Sequence, residues 1–149
     1  AVHIQSMVDY FGIAELGEAV ELREAGVEKP ILVLSYTSPY QYETLIENEL
    51  TQTIFNYDDA VALSSAAVKL NKIARVHIAI DTGMSRIGFF CNDESVEIVK
   101  KINEYDLESA KRNLLIVEAK LLVSANSKEI IEIIQSTTIL RHMCSLKKK

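Results

Sequence analysis

The sequence predicts an α/β fold built on a parallel sheet, and three observations carry that prediction. Short apolar runs of strand length alternate with longer segments whose apolar residues recur at helical spacing. One run, Ile31-Leu32-Val33-Leu34, is apolar without a break, as in strands buried on both faces. Turn-forming residues punctuate the segments; Gly26 and Pro30 stand between the first helical segment and that run.

The elements follow in order. Residues 8–14 form a short apolar and aromatic run that reads as a strand. Residues 18–25 follow as a helix with Ala19, Leu22 and Ala25 at helical spacing, and Gly26 stands where a residue free to take positive φ ends a helix. Residues 31–34 are the second strand, 40–48 a short helix and 52–55 the third strand. Asn56 caps a helix over 58–70 that carries Asp58 and Asp59 in its first turn and Leu63, Ala67 and Leu70 on one side. Residues 74–80 are the fourth strand. Asn92 caps a last helix over 93–105 with Val96, Val99 and Ile102 inward. Four strands separated by helices imply right-handed βαβ units. Periodicity alone leaves open whether they build an open doubly wound sheet or a slice of a (β/α)8 barrel. Neither a GxGxxG nor a GxxxxGK[ST] segment is present.

The bulk numbers exclude several function classes. A chain of 149 residues with 48% apolar and 25% charged residues fits one soluble domain. A net charge of -5 does not favour nucleic acid. No apolar run approaches the roughly 18–20 residues that span a bilayer, and no secretory signal opens the chain. Cys91 and Cys144 read as two reduced cytoplasmic thiols, and His3, His77 and His142 are too scattered for a zinc site.

The character of the chain changes after Asp106. Residues 1–106 hold 8 Lys+Arg against 17 Asp+Glu, whereas 107–149 hold 8 against 4. All five glycines and both prolines precede Phe89, and every Phe and Tyr lies at or before Tyr105. Residues 1–106 and 107–149 are therefore expected to differ in kind, the second part forming amphipathic helices over about 111–123 and 127–137. The run Lys147-Lys148-Lys149 reads as a solvated end.

The segment most informative about function is Arg75-Val76-His77-Ile78-Ala79-Ile80-Asp81. Its alternation directs Val76, Ile78 and Ile80 toward covering helices and His77, Ala79 and Asp81 the other way. Active sites of α/β folds sit at the carboxyl ends of such strands. The next loop supplies Arg86, a planar donor suited to carboxylate or phosphate. Two readings stand side by side: Asp81 caps the loop while Arg86 pairs with a surface carboxylate, or the two serve a ligand. His77 reads as an interior residue rather than a catalytic one.

At this point the residues resemble a known family. Asp9-Tyr10-Phe11-Gly12-Ile13-Ala14, Glu18-Ala19-Val20-Glu21-Leu22-Arg23-Glu24-Ala25-Gly26, Pro30-Ile31-Leu32-Val33-Leu34 and Val76-His77-Ile78-Ala79-Ile80-Asp81-Thr82-Gly83-Met84-Ser85-Arg86-Ile87-Gly88-Phe89 occur in the order and spacing of alanine racemases. The similarity covers residues 1 to about 106, and its D-T-G-M-x-R-x-G segment is specific. It implies part of a TIM-type (β/α)8 barrel, here about four parallel strands with helices, and the composition break marks residues 107–149 as a helical C-terminal tail, unrelated or out of frame. The resemblance further implies a cytoplasmic homodimeric isomerase that uses pyridoxal 5'-phosphate as an electron sink to interconvert L- and D-alanine for D-alanine biosynthesis. By the same resemblance Arg86 would bind the substrate carboxylate and Asp81 would organise its turn in a supporting role.

Departures from the family qualify this. The cofactor lysine of a V-K-A-N-A-Y-G-H-G-like segment and the catalytic tyrosine of a second domain have no counterpart here. Ala79 stands where many members carry a lysine whose carbamate orients the arginine, so Arg86 needs another anion, a bound chloride or Asp81. No residue is assigned as catalytic, as a cofactor ligand or as a metal ligand. The expectation is a racemase fragment that is inactive by itself and binds no cofactor covalently. A serine or broad-specificity amino-acid racemase fragment and a non-catalytic interaction protein are the alternatives.

Overall fold

The computed structural model describes residues 1–81, 83–108 and 115–118, with side chains through Ile102. The chain runs β1 (Phe11–Ile13), α1 (Leu16–Glu24), β2 (Ile31–Val33), α2 (Tyr42–Glu47), β3 (Thr51–Ile54), α3 (Tyr57–Leu70), β4 (Ala74–Ile78), β5 (Ile80–Asp81), β6 (Phe89–Phe90), α4 (Asp93–Glu108) and β7 (Leu115–Glu118). One sheet holds β1-β2-β3-β4-β7 in that order, every pair parallel. The order follows the sequence without reversal. A doubly wound sheet reverses direction at its switch point, whereas same-handed crossovers that never reverse leave all helices on one face. This decides between the two architectures in favour of a slice of a barrel.

The two faces of the sheet differ. Ile31, Val33, Ile54, Val76 and Ile78 are buried with Leu16, Ala19, Leu45, Ile46, Leu63, Ala67, Val96, Val99 and Ile102 from the helices. The register that puts Leu32 beside Thr51, Thr51 beside Arg75 and Thr53 beside His77 gathers a largely polar set on the opposite, barrel-interior face.

Local chemistry sets the element ends. Glu15 and Glu18 form a capping box at the start of α1. Asn56 accepts from the Asp59 N–H at 2.8 Å at the start of α3, and Asn92 from the Ser95 N–H at 2.9 Å at the start of α4, both as expected. Gly26, with φ 86°, ends α1: its N–H donates to Arg23 O and that of Val27 to Leu22 O, a Schellman pair. The same pair ends α2 at Glu49 (φ 52°) and α3 at Asn71 (φ 53°), neither of them glycine.

Three expectations are corrected. The first strand is only Phe11–Ile13, because only these residues of the stretch 8–14 pair in the ladder with β2. The fourth strand breaks at Ala79, and Ile80–Asp81 pairs with Phe89–Phe90 in a separate two-stranded ladder. The helix expected over 111–123 is, in its described part, the strand Leu115–Glu118, whose register pairs Ala74 with Leu115 and His77 with Glu118. Leu115, Ile116 and Val117 form a short apolar run, which periodicity cannot assign between buried strand and helix; pairing with β4 settles it. The helix expected over 127–137 lies outside the described residues.

Candidate functional site

The site is built where β4 ends. The Ala79 N–H still joins the main ladder, donating to Ile54 O at 2.9 Å. Beyond it the chain leaves the sheet at Asp81 and returns at Gly88, so that the Phe89 N–H donates to Ala79 O at 2.9 Å. Phe89 is buried and anchors the returning strand, while Phe90 is exposed.

Asp81 organises this turn. Its Oδ1 accepts the backbone N–H groups of Ser85 and Gly83, each at 2.9 Å. These two bonds, from Ser85 first and Gly83 second, stabilise the charged form and hold the carboxyl below the ordinary carboxylate range. The turn also needs left-handed backbone at Gly83 (φ 121°) and Ser85 (φ 54°). Arg86 follows at once and is exposed. Among the described residues its guanidinium has no hydrogen bond and no ion pair, so Asp81 spends its Oδ1 on the backbone instead of on Arg86. The arrangement presents a planar cation just past the carboxyl ends of parallel strands, where a carboxylate or phosphate can meet it bidentately.

His77 lies in the interior as expected, buried, with its ring centroid 5.6 Å from that of Tyr10. The Tyr10 and Thr51 hydroxyls share a hydrogen bond of 2.6 Å across the inner face. Sequence reasoning missed this contact; it joins residues 41 apart, and no local spacing announces it.

Arg23 was also missed, although it sits in a segment quoted for the family resemblance. Its guanidinium donates to four backbone carbonyls: Asn48 at 3.0 Å, Val27 at 2.6 Å, Lys29 at 2.8 Å and Glu49 at 3.3 Å. Burial lowers its pKa, opposed by the Glu49 charge. It borders a cavity of about 270 Å³ with Tyr10, Thr51 and Arg75, at the amino ends of the strands. That end of a barrel serves stability rather than chemistry.

No cluster of three metal-ligating side chains occurs among the described residues. Cys91 is half-buried and free, and Cys144 lies outside the described residues. No described helix is long and apolar enough to cross a membrane. The described lysines do not fit a covalently held cofactor at this end. Lys29 precedes β2, Lys69 lies in the last turn of α3, Lys72 lies between α3 and β4, and Lys100 and Lys101 lie on α4. None stands at the carboxyl end of a strand.

Comparison with known proteins agrees with the geometry. The family model described as alanine racemase, N-terminal domain, matches residues 1–117. The alanine racemase of Clostridium novyi (strain NT) is 44% identical over 100 residues, 67% of this chain and 26% of that protein. That of Clostridium perfringens (strain ATCC 13124) is 50% identical over 90 residues, 60% of this chain and 23% of that protein. The structure of alanine racemase from Clostridium difficile 630 in complex with cycloserine superposes with a TM-score of 0.70 at 29% identity, covering 97% of this chain and 40% of that one. The chain thus spans about a quarter of the length of the curated relatives it matches. An unreversed parallel sheet, the D-T-G-M-x-R-x-G turn at its carboxyl end and a family match over residues 1–117 lead to one assignment: the chain belongs to the alanine racemase N-terminal domain family.

Proposed function

We propose that this chain is a consecutive stretch of an alanine racemase barrel in which Arg86 holds the carboxylate of an amino-acid substrate and Asp81 sets the turn that presents it. The supporting observation is a division of labour. Asp81 Oδ1 serves two backbone amides, which leaves the Arg86 guanidinium exposed and, among the described residues, without an anion. The interconversion of L- and D-alanine is part of this proposal, because the chain spans only a fraction of its relatives. The same arginine would hold the carboxylate of serine or other amino acids, so a serine or broad-specificity racemase is this reading with a different side-chain pocket.

Pyridoxal 5'-phosphate is the cofactor of the family, and when bound it supplies an electron sink at the substrate Cα. The lysines described above do not fit it, so no step is assigned to it in this chain. The chain by itself is therefore expected to be inactive. Purified protein incubated with pyridoxal 5'-phosphate should show no borohydride-sensitive visible band and no racemisation of alanine. Adding L-alanine to ¹⁵N-labelled protein should shift the Arg86 Nε–Hε signal saturably; an unresponsive signal rejects the carboxylate role.

A second reading, a non-catalytic interaction protein, is supported by the apolar side chains exposed around the carboxyl ends: Leu34, Tyr36, Tyr40, Met84 and Phe90. Gel filtration with light scattering separates the two. A defined oligomer supports the interaction protein, and a monomer or an aggregate supports the fragment.

We also place the junction between barrel and foreign sequence after Glu118 rather than after Asp106. The support is that α4 continues to Glu108 and β7 pairs with β4, whereas the family model ends at residue 117. Translating the source DNA in the other two frames past codon 118 tests it. A resumed barrel strand supports an out-of-frame tail, and its absence in both frames rejects the frameshift version.

A further inference from the structure

The geometry points to Gly88 as the positioning residue for Arg86: its missing side chain lets the returning strand lie directly on the Ile80–Asp81 peptide, and that contact closes the loop that presents the guanidinium. The inference rests on the carboxylate reading of Arg86 and adds a residue to it. A Cβ at Gly88 would lie 2.6 Å from Asp81 N, 2.9 Å from the Ile80 carbonyl carbon and 3.2 Å from Asp81 Cα. All three are backbone atoms, which cannot swing aside as the tip of a flexible side chain can. Gly88 also has φ 118°, a conformation that L side chains rarely adopt. Gly83 has φ 121° in the same loop, yet a Cβ there meets nothing within 4 Å. Only one of the two turn glycines is therefore required by close approach.

What Gly88 touches gives the contact its consequence. Asp81 is pinned from two sides: its carboxylate takes the Ser85 and Gly83 amides, and its backbone lies under Gly88. The β5–β6 pairing, Ile80 with Phe89 and Asp81 with Phe90, continues from that contact, and buried Phe89 ties it to the core. Between the two pins the chain has only Met84 to Ile87 to place, all four exposed. Displacing the Asp81 backbone would move the acceptor away from both amides at once. Arg86 would keep its charge and lose its fixed direction.

The test uses the full 149-residue chain by NMR. In the wild type, a strong Overhauser contact is expected between a Gly88 Hα and the Asp81 amide proton. In Gly88→Ala, the Asp81 carboxyl should titrate closer to the ordinary carboxylate range, and the Gly83 and Ser85 amides should exchange about tenfold faster or more. Signals of α1 to α3 should stay in place. General destabilisation would lower the melting temperature without moving the Asp81 titration. Gly17→Ala, a helical site with nothing within 4 Å, is the control and should change none of these readouts. A folded Gly88→Ala chain with an unmoved Asp81 titration and unchanged amide exchange overturns the inference. If that variant does not fold, absence of the wild-type Overhauser contact overturns it and its presence supports it. None of these readouts needs a ligand. An Arg86 signal that ignores alanine would reject the carboxylate reading while leaving the Gly88 geometry measurable by itself.

Discussion

Arg23 Nε donates to the carbonyl oxygen of Asn48 at 3.0 Å, so a side chain of α1 closes the end of α2. The last carbonyls of a helix have no partner within it, and here a charged donor supplies one. The same guanidinium holds Val27, Lys29 and Glu49 carbonyls in the two loops beside it. One side chain thus fixes both loops that lead into β2 and β3.

Replacing Arg23 by Met should cost about 2–3 kcal/mol, discounted from the sum of four charge-assisted bonds because the group is partly exposed. Urea unfolding followed by circular dichroism measures it. A change in midpoint worth less than about 0.5 kcal/mol would put the site among ordinary surface positions.

Glu49 sits in the left-handed region that ends α2, with φ 52°. Glycine takes that conformation without Cβ strain but loses more chain entropy on folding. Glu49→Gly should therefore stabilise by about 0.5–1 kcal/mol. The lost attraction between the Glu49 charge and Arg23 trims the gain. Asn71→Gly at the end of α3 should gain less, since asparagine tolerates this conformation better. Melting temperatures of the two variants, compared in one buffer, give the order.

Asp81 titrates below the ordinary carboxylate range because Ser85 and Gly83 amides solvate its charge. Its pKa is lower folded than unfolded, so the unfolded chain binds more protons in the interval between the two values. The stabilisation is complete above the unfolded carboxylate pKa and disappears as pH falls through the folded one. Acidification should therefore loosen the loop from 81 to 88. Asp81→Asn should remove this part of the pH dependence. Amide exchange at Gly83 and Ser85, followed as a function of pH in both proteins, provides the comparison.

Tyr42 is buried at the α2–α3 contact, near Asp59, which is itself buried and paired with Asn56. Burial and then the Asp59 charge push the phenol far above the normal tyrosine range. Ultraviolet titration should leave Tyr42 protonated well above the ordinary phenol range. Tyr42→Phe should cost about 1–2 kcal/mol, because the buried Asp59 carboxylate loses a polar neighbour. An unchanged urea midpoint would show that Asp59 finds another partner.

Much of the fold was legible because its signals are local. Gly26, Asn56 and Asn92 mark helix ends through bonds reaching only a few residues, and Val96, Val99 and Ile102 share one helix face by spacing alone. Leu115 to Val117 was not legible, because an apolar run of that length suits a buried strand or a helix turn equally until β4 offers it an edge. Arg86 could be picked out by its place after a strand. The contact that holds its loop could not, since Gly88 and Asp81 are seven residues apart and only the parallel pairing of β5 with β6 brings them together.

Composition and spacing by themselves determined the alternation of strand and helix, and the order of the residues in the turn from Asp81 to Gly88 determined the family resemblance. Tertiary structure decided which barrel-interior groups meet, that Arg23 staples backbone rather than binding a ligand, and that Asp81 supports the turn instead of pairing with Arg86. The physical reason is range. Backbone propensity and apolar periodicity act within a turn or a pleat, whereas a side chain finds its hydrogen-bond partners only after packing has placed distant segments side by side.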